Sequence, residues 1–293
     1  SDVAQISSGD DSVLISTIVT QTGDGNSTIV TQDDVGTANA TLEVEVEQDG
    51  FGNSGDVTQT GTDNLATIFQ TGDDDSGTIN QSGEFQDADI QQDGLFNTAT
   101  INQSNEGNTA ATLQTGDSDT TTVTQSGVNG LAGSIQAGFS STVTITQGGD
   151  TNDAFVSQSG DLNNATIDQA TNVGAGDGFN TATIQQDGFA INNATIRQTD
   201  NAQGDIASIT QNVGNVEAFA TITQTGDDAP GGAASNNEAT ITQDSVFGFP
   251  MNSSITQGDT TAFGGTVTGA TNSFASSARN AFHGVRITTA STS

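Results

Sequence analysis

Glutamine returns every 11 residues through the middle of this chain. Gln48, Gln59, Gln70, Gln81, Gln92, Gln103, Gln114, Gln125, Gln136, Gln147, Gln158 and Gln169 fall on one unbroken phase. A fixed period of this kind marks a stacked-repeat architecture and outranks any local propensity. Other residues keep the same phase. Glycine stands two residues after the glutamine, as at Gly50, Gly61, Gly72, Gly83 and Gly94. Asparagine stands six before the next glutamine, at Asn53, Asn64, Asn97, Asn108, Asn152 and Asn163, with Asp75 as a substitute. Alanine stands four before, at Ala66, Ala88, Ala99, Ala110, Ala154 and Ala165. Two before stand Ile68, Ile79, Ile90, Ile101, Ile145 and Ile167, or Val57, Val123 and Val156.

The four constant residue types occupy alternate positions, and a strand puts alternate residues on one face. Each unit therefore reads as one strand of about six or seven residues followed by a tight turn at the glycine. Asn, Ala, Ile/Val and Gln face inward. Thr67, Thr78, Thr100, Thr122, Thr144 and Thr166 face outward with their polar neighbours. A helix is excluded, because its apolar residues would recur at three and four rather than two. Thr112 and Ser134 stand where Ile or Val is expected, with Leu113 and Ile135 shifted by one, so those two strands are expected to bulge or to be weak.

The motif continues outside the regular block at Gln21 and Gln32, then at Gln186, Gln198, Gln211, Gln224, Gln243 and Gln257, with a faint final pair near Val267 and Ile287. Three segments follow: residues 1–15, strand-like; residues 16–257, the repeat; and residues 258–293, with poor periodicity. The long gaps precede Gln21, Gln48, Gln186 and Gln243, which share one parity when strands are counted. The insertions, among them 171–179 and 227–237, are therefore expected on one edge of the stack.

A single 22-residue rung of two strands cannot fold alone, since ordering it costs more than its two buried aliphatic side chains return. Stacked rungs pair above and below, and inward Asn and Gln can form amide ladders that satisfy their polar groups. The expected fold is all-β: a two-sheet β-solenoid of strand-turn-strand rungs, polymerising into a cross-β fibre. About ten rungs would give a column roughly 50 Å tall. Its ends would expose unpaired strand edges, and a head-to-tail contact between copies builds an open filament.

Composition narrows the function. The 293 residues include no Cys, three Lys+Arg and one His, with a net charge of −33. Without Cys there is no disulfide, thiolate metal site or thiol nucleophile; without Lys there is no P-loop or Schiff base. The charge repels nucleic acid and anionic lipid. No apolar run reaches the roughly 20 residues that span a bilayer. Starting at Ser1 without a leader, the chain reads as a processed, exported protein. No catalytic constellation converges, and an enzyme is not expected.

The pattern Q-x-G-x-x-N-x-A-x-x-x-Q, complete from Gln59 to Gln70 and again from Gln92 to Gln103, Gln147 to Gln158 and Gln158 to Gln169, resembles the curlin repeat of bacterial curli fibres. The resemblance covers roughly residues 16–257. It implies a β-solenoid subunit secreted through the outer membrane and polymerised into extracellular amyloid that supports biofilm and adhesion. The implied partners are further copies of the chain, a nucleator subunit and an outer-membrane secretion channel. This chain has more rungs than curli subunits, irregular gaps after Gln169, and no Lys or Tyr.

Other features carry weaker expectations. Asp24 and the Asp73-Asp74-Asp75 turn could hold Ca²⁺ through carboxylates, but read first as solvated turns that keep the protein soluble; no other cofactor is expected. Glu43, Glu45 and Glu47 read as an exposed outer strand face. The Thr-x-Thr pairs at 122/124, 144/146, 221/223 and 240/242 suit strands and are similar to those of ice-binding solenoids. Phe51, Phe96, Phe139, Phe179 and Phe189 are expected to pack over turn edges or to join filaments laterally. Arg279, His283 and Arg286 make the C-terminal segment a candidate docking or capping piece. The alternative to a fibre subunit is a monomeric, capped solenoid binding ice, Ca²⁺ or another ligand.

Overall fold

A computed structural model describes residues 2–7, 14–34, 41–170, 179–188, 191–199, 204–213, 217–225, 237–245, 251–258, 266–267, 271–272 and 284–291. The chain gathers into two units, Ser1–Ala137 and Gly138–Ser293. Each is a stack of two sheets in which successive strands alternate between the sheets.

In the first unit the odd sheet runs β1 (Asp2–Ser7), β3 (Ser27–Asp34), β5 (Ser54–Thr62), β7 (Ser76–Glu84), β9 (Thr98–Glu106) and β11 (Thr120–Gln125). Its even sheet runs β2 (Leu14–Thr22), β4 (Thr41–Asp49), β6 (Asn64–Gln70), β8 (Asp87–Gln92), β10 (Thr109–Gln114) and β12 (Leu131–Phe139). In the second unit the odd sheet runs β13 (Thr142–Gly148), β15 (Asn164–Ala170), β17 (Asn192–Thr199), β19 (Ala218–Thr225) and β21 (Met251–Gly258), with the short β22 (Thr266–Val267) and β23 (Thr271–Asn272) both on β21. The even sheet there runs β14 (Asp153–Asp161), β16 (Thr181–Asp187), β18 (Ile206–Val213), β20 (Asn237–Ser245) and β24 (Gly284–Ser291).

Parallel neighbours normally need a crossover of a dozen or more residues. Here the crossover is the intervening strand of the opposite sheet, so the rung closes without a helix, and no helix occurs among the described residues. Register follows the glutamine phase: Gln59 pairs with Gln81, and Gln81 with Gln103. Gln5 pairs with Gln32, which brings β1 into the same phase. Insertions leave register intact, as between Gln211 and Gln243. The strands that follow the long gaps are β2, β4, β16 and β20, each in the even sheet of its unit.

Alternate residues are buried along every regular strand, as in β6, where Asn64, Ala66, Ile68 and Gln70 are buried and Leu65 is exposed. Thr112 and Ser134 do not break this pattern. Both are buried, and Thr112 pairs in register with Ile90 on one side and Ser134 on the other. The strands neither bulge nor shift to bring Leu113 and Ile135 inside; backbone register overrides the hydrophobic preference of single positions.

The turns use two unusual backbone positions. Gly61 has φ +118°, and a Cβ there would collide with the Gly83 carbonyl oxygen of the next rung. The residue four after the glutamine is also left-handed, although it is Asp63, Asp74, Phe85, Phe96, Ser118 or Asn129. Phe96 and Phe179 have this left-handed backbone, and Phe51 and Phe139 stand just before such a residue, Gly52 or Ser140; all four are 51–66% exposed instead of packing over the edge. Phe189 lies outside the described residues.

The two outer faces of the first unit differ. The odd sheet presents Ser76, Thr78 and Asn80, then Thr98, Thr100 and Asn102, then Thr120, Thr122 and Thr124. Asn80 Nδ2 donates to Asn102 Oδ1 at 2.9 Å. The even sheet presents Glu43, Glu45 and Glu47, then Leu65, Thr67 and Phe69, then Asp87, Asp89 and Gln91.

Candidate functional site

The buried glutamines are joined side chain to side chain. In the even sheet of the first unit each Nε2 donates to the Oε1 of the next rung: Gln21 to Gln48 at 2.7 Å, Gln48 to Gln70 at 2.7 Å, and Gln70 to Gln92, Gln92 to Gln114 and Gln114 to Gln136 at 2.9 Å. In its odd sheet the same bonds run from Gln32 to Gln59, Gln81, Gln103 and Gln125, each 2.9 Å. In the second unit they run from Gln147 through Gln169 and Gln198 to Gln224, and from Gln158 through Gln186 and Gln211 to Gln243, at 2.7–3.0 Å. In most rungs the second N–H takes a backbone carbonyl, for example Gln92 Nε2 to Ser76 O at 3.1 Å, whereas in Gln21 it takes Thr28 Oγ1 at 3.2 Å. The amide is thus fully used, which is what makes its burial tolerable.

Most of the asparagines bond differently from the expected amide ladder. Asn53 Nδ2 donates to Gly72 O at 2.7 Å, and its Oδ1 accepts from Asp75 N at 3.0 Å. Asn97 repeats this with Gly116 O and Asp119 N, Asn64 with Gly83 O and Gln86 N, and Asn108 with Gly127 O and Gly130 N. Asn152 and Asn163 turn to carbonyls of their own turns, Gly148 O and Ser159 O, four residues back. These side chains stitch turn backbones together, whereas Asn192 Nδ2 reaches Asn163 Oδ1 one rung away at 2.9 Å, an amide-to-amide bond of the expected kind. The aliphatic column between the amides includes Ile68, Ile79, Ile101, Ile145 and Ile167, all at 0% exposure.

Asp75 occupies one of these asparagine positions. Its Oδ1 accepts from Asn97 N at 2.8 Å, whereas its buried Oδ2 has no partner. Where Asn53 and Asn97 place a donor against a turn carbonyl, Asp75 places an oxygen. Burial, reinforced by Asp93 and Asp73 and opposed by the Asn97 hydrogen bonds, pushes this carboxyl up to about 6. Burial also raises Asp87, Asp89 and Asp153.

Hydroxyl groups on the alanine column join the ladder, a role the repeat consensus does not announce. Thr28 Oγ1 donates to Gln48 Oε1 at 2.9 Å, and Thr17 Oγ1 to Gln32 Oε1 at 2.6 Å. Thr121 does the same to Gln136 and meets Ser134 Oγ at 3.3 Å. The visible signal was Thr in place of Ala four residues before the glutamine.

The acidic turns are occupied with backbone. Asp73 Oδ1 accepts from Phe51 N at 2.9 Å and Asp117 Oδ1 from Leu95 N at 3.1 Å. Among the described residues no group of three or more His, Asp or Glu is placed to hold a metal ion. A shallow groove of about 260 Å³ crosses the odd sheet of the first unit, lined by Thr58, Asn80, Asn102 and Thr124 on one side and Thr60, Ser82 and Ser104 on the other.

The terminal strands finish the sheets in two ways. Among the described residues β1 and β2 each have one sheet neighbour, β3 and β4 respectively. In the second unit the faint final pair does not continue the parallel rungs. β24 lies antiparallel on β20, with Ile287 opposite Ile241, and β22 and β23 lie antiparallel on β21. Arg286 falls in β24; Arg279 and His283 lie outside the described residues.

No curated protein matches the chain. A family model, the curlin associated repeat, matches at residues 42–72, 61–94, 116–149 and 138–170. The matched stretches fall on the part of the chain in which the 11-residue glutamine phase, Gln48 to Gln169, is unbroken. Residues 42–94 and 116–170 of this chain are thus similar to the curlin associated repeat.

Proposed function

We propose that the chain is the structural subunit of an extracellular, curli-like amyloid fibre, built head to tail by strand pairing between copies and serving as matrix, adhesive or surface coat. Curlin-repeat proteins are structural subunits that self-assemble into fibres. The observation that carries the reading is the edge of β2. Among the described residues Leu14–Thr22 has one sheet neighbour, and it contains no charged residue and no proline, although natural sheets blunt exposed edges with such residues. The reading gives the chain no catalytic role and makes its main partner another copy of itself.

A second reading, a monomeric capped solenoid, draws on the antiparallel strands over β20 and β21 and on the hydroxyl and amide face that β7, β9 and β11 present. Electron microscopy and fibre diffraction of the purified chain decide between them. The fibre reading expects long unbranched filaments with a meridional spacing of about 4.8 Å. Particles that remain discrete after prolonged incubation at high concentration would overturn it and turn the hydroxyl face into the object of binding assays.

A further inference from the structure

The glutamine ladders have a direction. Every bond in the even sheet of either unit runs from the Nε2 of one rung to the Oε1 of a rung later in the chain. The two terminal members are therefore left with opposite needs. Nothing among the described residues donates to Gln21 Oε1, while its Nε2 is taken by Gln48 and Thr28. At the other terminus Gln243 Oε1 is filled by Gln211, and the N–H that elsewhere reaches the next glutamine turns to Ser253 Oγ at 3.2 Å. A donor at Gln243 complements an acceptor at Gln21. Joining two like ends would oppose carbonyl to carbonyl or N–H to N–H.

The outer edge of β20, however, is covered. β24 pairs along it from Asn237 opposite Ser291 to Asp244 opposite Gly284. The register sets Val285, which has no amide side chain, opposite Gln243. β24 thus satisfies the strand backbone without extending the ladder. A parallel β2 edge with Gln21 opposite Gln243 would do both, setting Val19 opposite Ile241 and Thr17 opposite Ala239.

We propose that the outer edge of β20 is a docking surface for β2 of a second copy of this chain, joined Gln243 Nε2 to Gln21 Oε1, and that β24 occupies this surface in the isolated chain. This rests on the fibre reading above. As a tethered strand, β24 competes at the high effective concentration of an intramolecular partner. It holds the edge in dilute protein and yields as the concentration of free β2 edges rises. The incoming copy gains an amide bond that β24 cannot make, which favours exchange once the two strands compete on equal terms.

The test uses the full chain, which has no cysteine of its own. Thr240 and Thr288 stand directly opposite each other across β20 and β24. Thr240→Cys with Thr288→Cys locks the cover when oxidised, and Ile287→Pro loosens it by removing a backbone N–H. Followed by dye binding and microscopy, the locked protein should lag severalfold longer than wild type and recover on reduction, and Ile287→Pro should lag severalfold less. In mixed fibres, Thr20→Cys on one chain should form a disulfide with Thr242→Cys on another. Equal lag times for locked, reduced and loosened protein, or fibres without the 20–242 link, would overturn the inference while leaving the fibre reading standing. Absence of fibres from all of these proteins, each folded by circular dichroism, would overturn both.

Discussion

Asp75 shows how much one atom can matter in a stacked fold. Replacing an amide nitrogen by a carboxylate oxygen turns a donor aimed at a turn carbonyl into a second acceptor, and the buried Oδ2 is left alone. Because the folded-state value, about 6, exceeds the ordinary 3.8, the folded protein binds the extra proton more readily than the unfolded chain. Stability should therefore rise as pH falls through 6 and level off below about 4. Asp75→Asn restores the donor. We expect it to stabilise the protein at pH 7 by about 1 kcal/mol, the net worth of one hydrogen bond, and to lose that advantage below pH 4; denaturant melts across this range would show it. A mutant no more stable than wild type at pH 7 would mean that the carboxylate is accommodated in some other way. The substitution was visible in the sequence as Asp on an asparagine phase. Its consequence was not, because the repeat fixes which residue faces inward but not which of its atoms meets a donor.

At the level of the strand, the glutamine does what a longer aliphatic side chain cannot. It sits at the end of each buried row, next to the turn, where backbone carbonyls of the neighbouring sheet need donors, as Ser76 O does from Gln92. Gln92→Met keeps length and burial but strands Gln70 Nε2 and Gln114 Oε1. The expected loss is about 1–3 kcal/mol for each orphaned group, read by chemical denaturation, whereas a change at the exposed neighbour Gln91 should be nearly neutral. Strand positions, inward faces and register were legible because a period of 11 leaves a strand no second way to face. The left-handed turn position at Phe96 and Ser118 was hidden, since nothing in those side chains signals a positive φ. The asparagine bonding was only partly legible: phase brings Asn192 to Asn163, but it does not show that Asn53, Asn64, Asn97 and Asn108 take turn backbone instead. The direction reversal at β24 was also hidden: a segment without the glutamine phase gives no cue to its pairing partner.

The whole chain carries a net charge of −33, and every additional copy in a fibre adds to the repulsion. Screening falls to about 10 Å at 0.1 M salt, so elongation should accelerate with ionic strength, and magnesium or calcium should act at lower concentration than sodium. Elongation rates from seeded reactions, in which nucleation does not intrude, give the test; rates indifferent to both would show that the acidic groups lie too far from the joint to matter. The alternation of sheets also sets rules for how such a chain can lengthen over evolutionary time. Gain or loss of 22 residues inserts or removes a full rung and leaves every later strand in its place. Gain or loss of 11 preserves the glutamine phase, yet sends every later strand to the opposite sheet: hydroxyl-bearing strands exchange places with acidic and apolar ones, and loops move to the other edge. Duplications that respect local folding thus divide into two classes, one silent to the surface and one that exchanges its two outer faces at a single step.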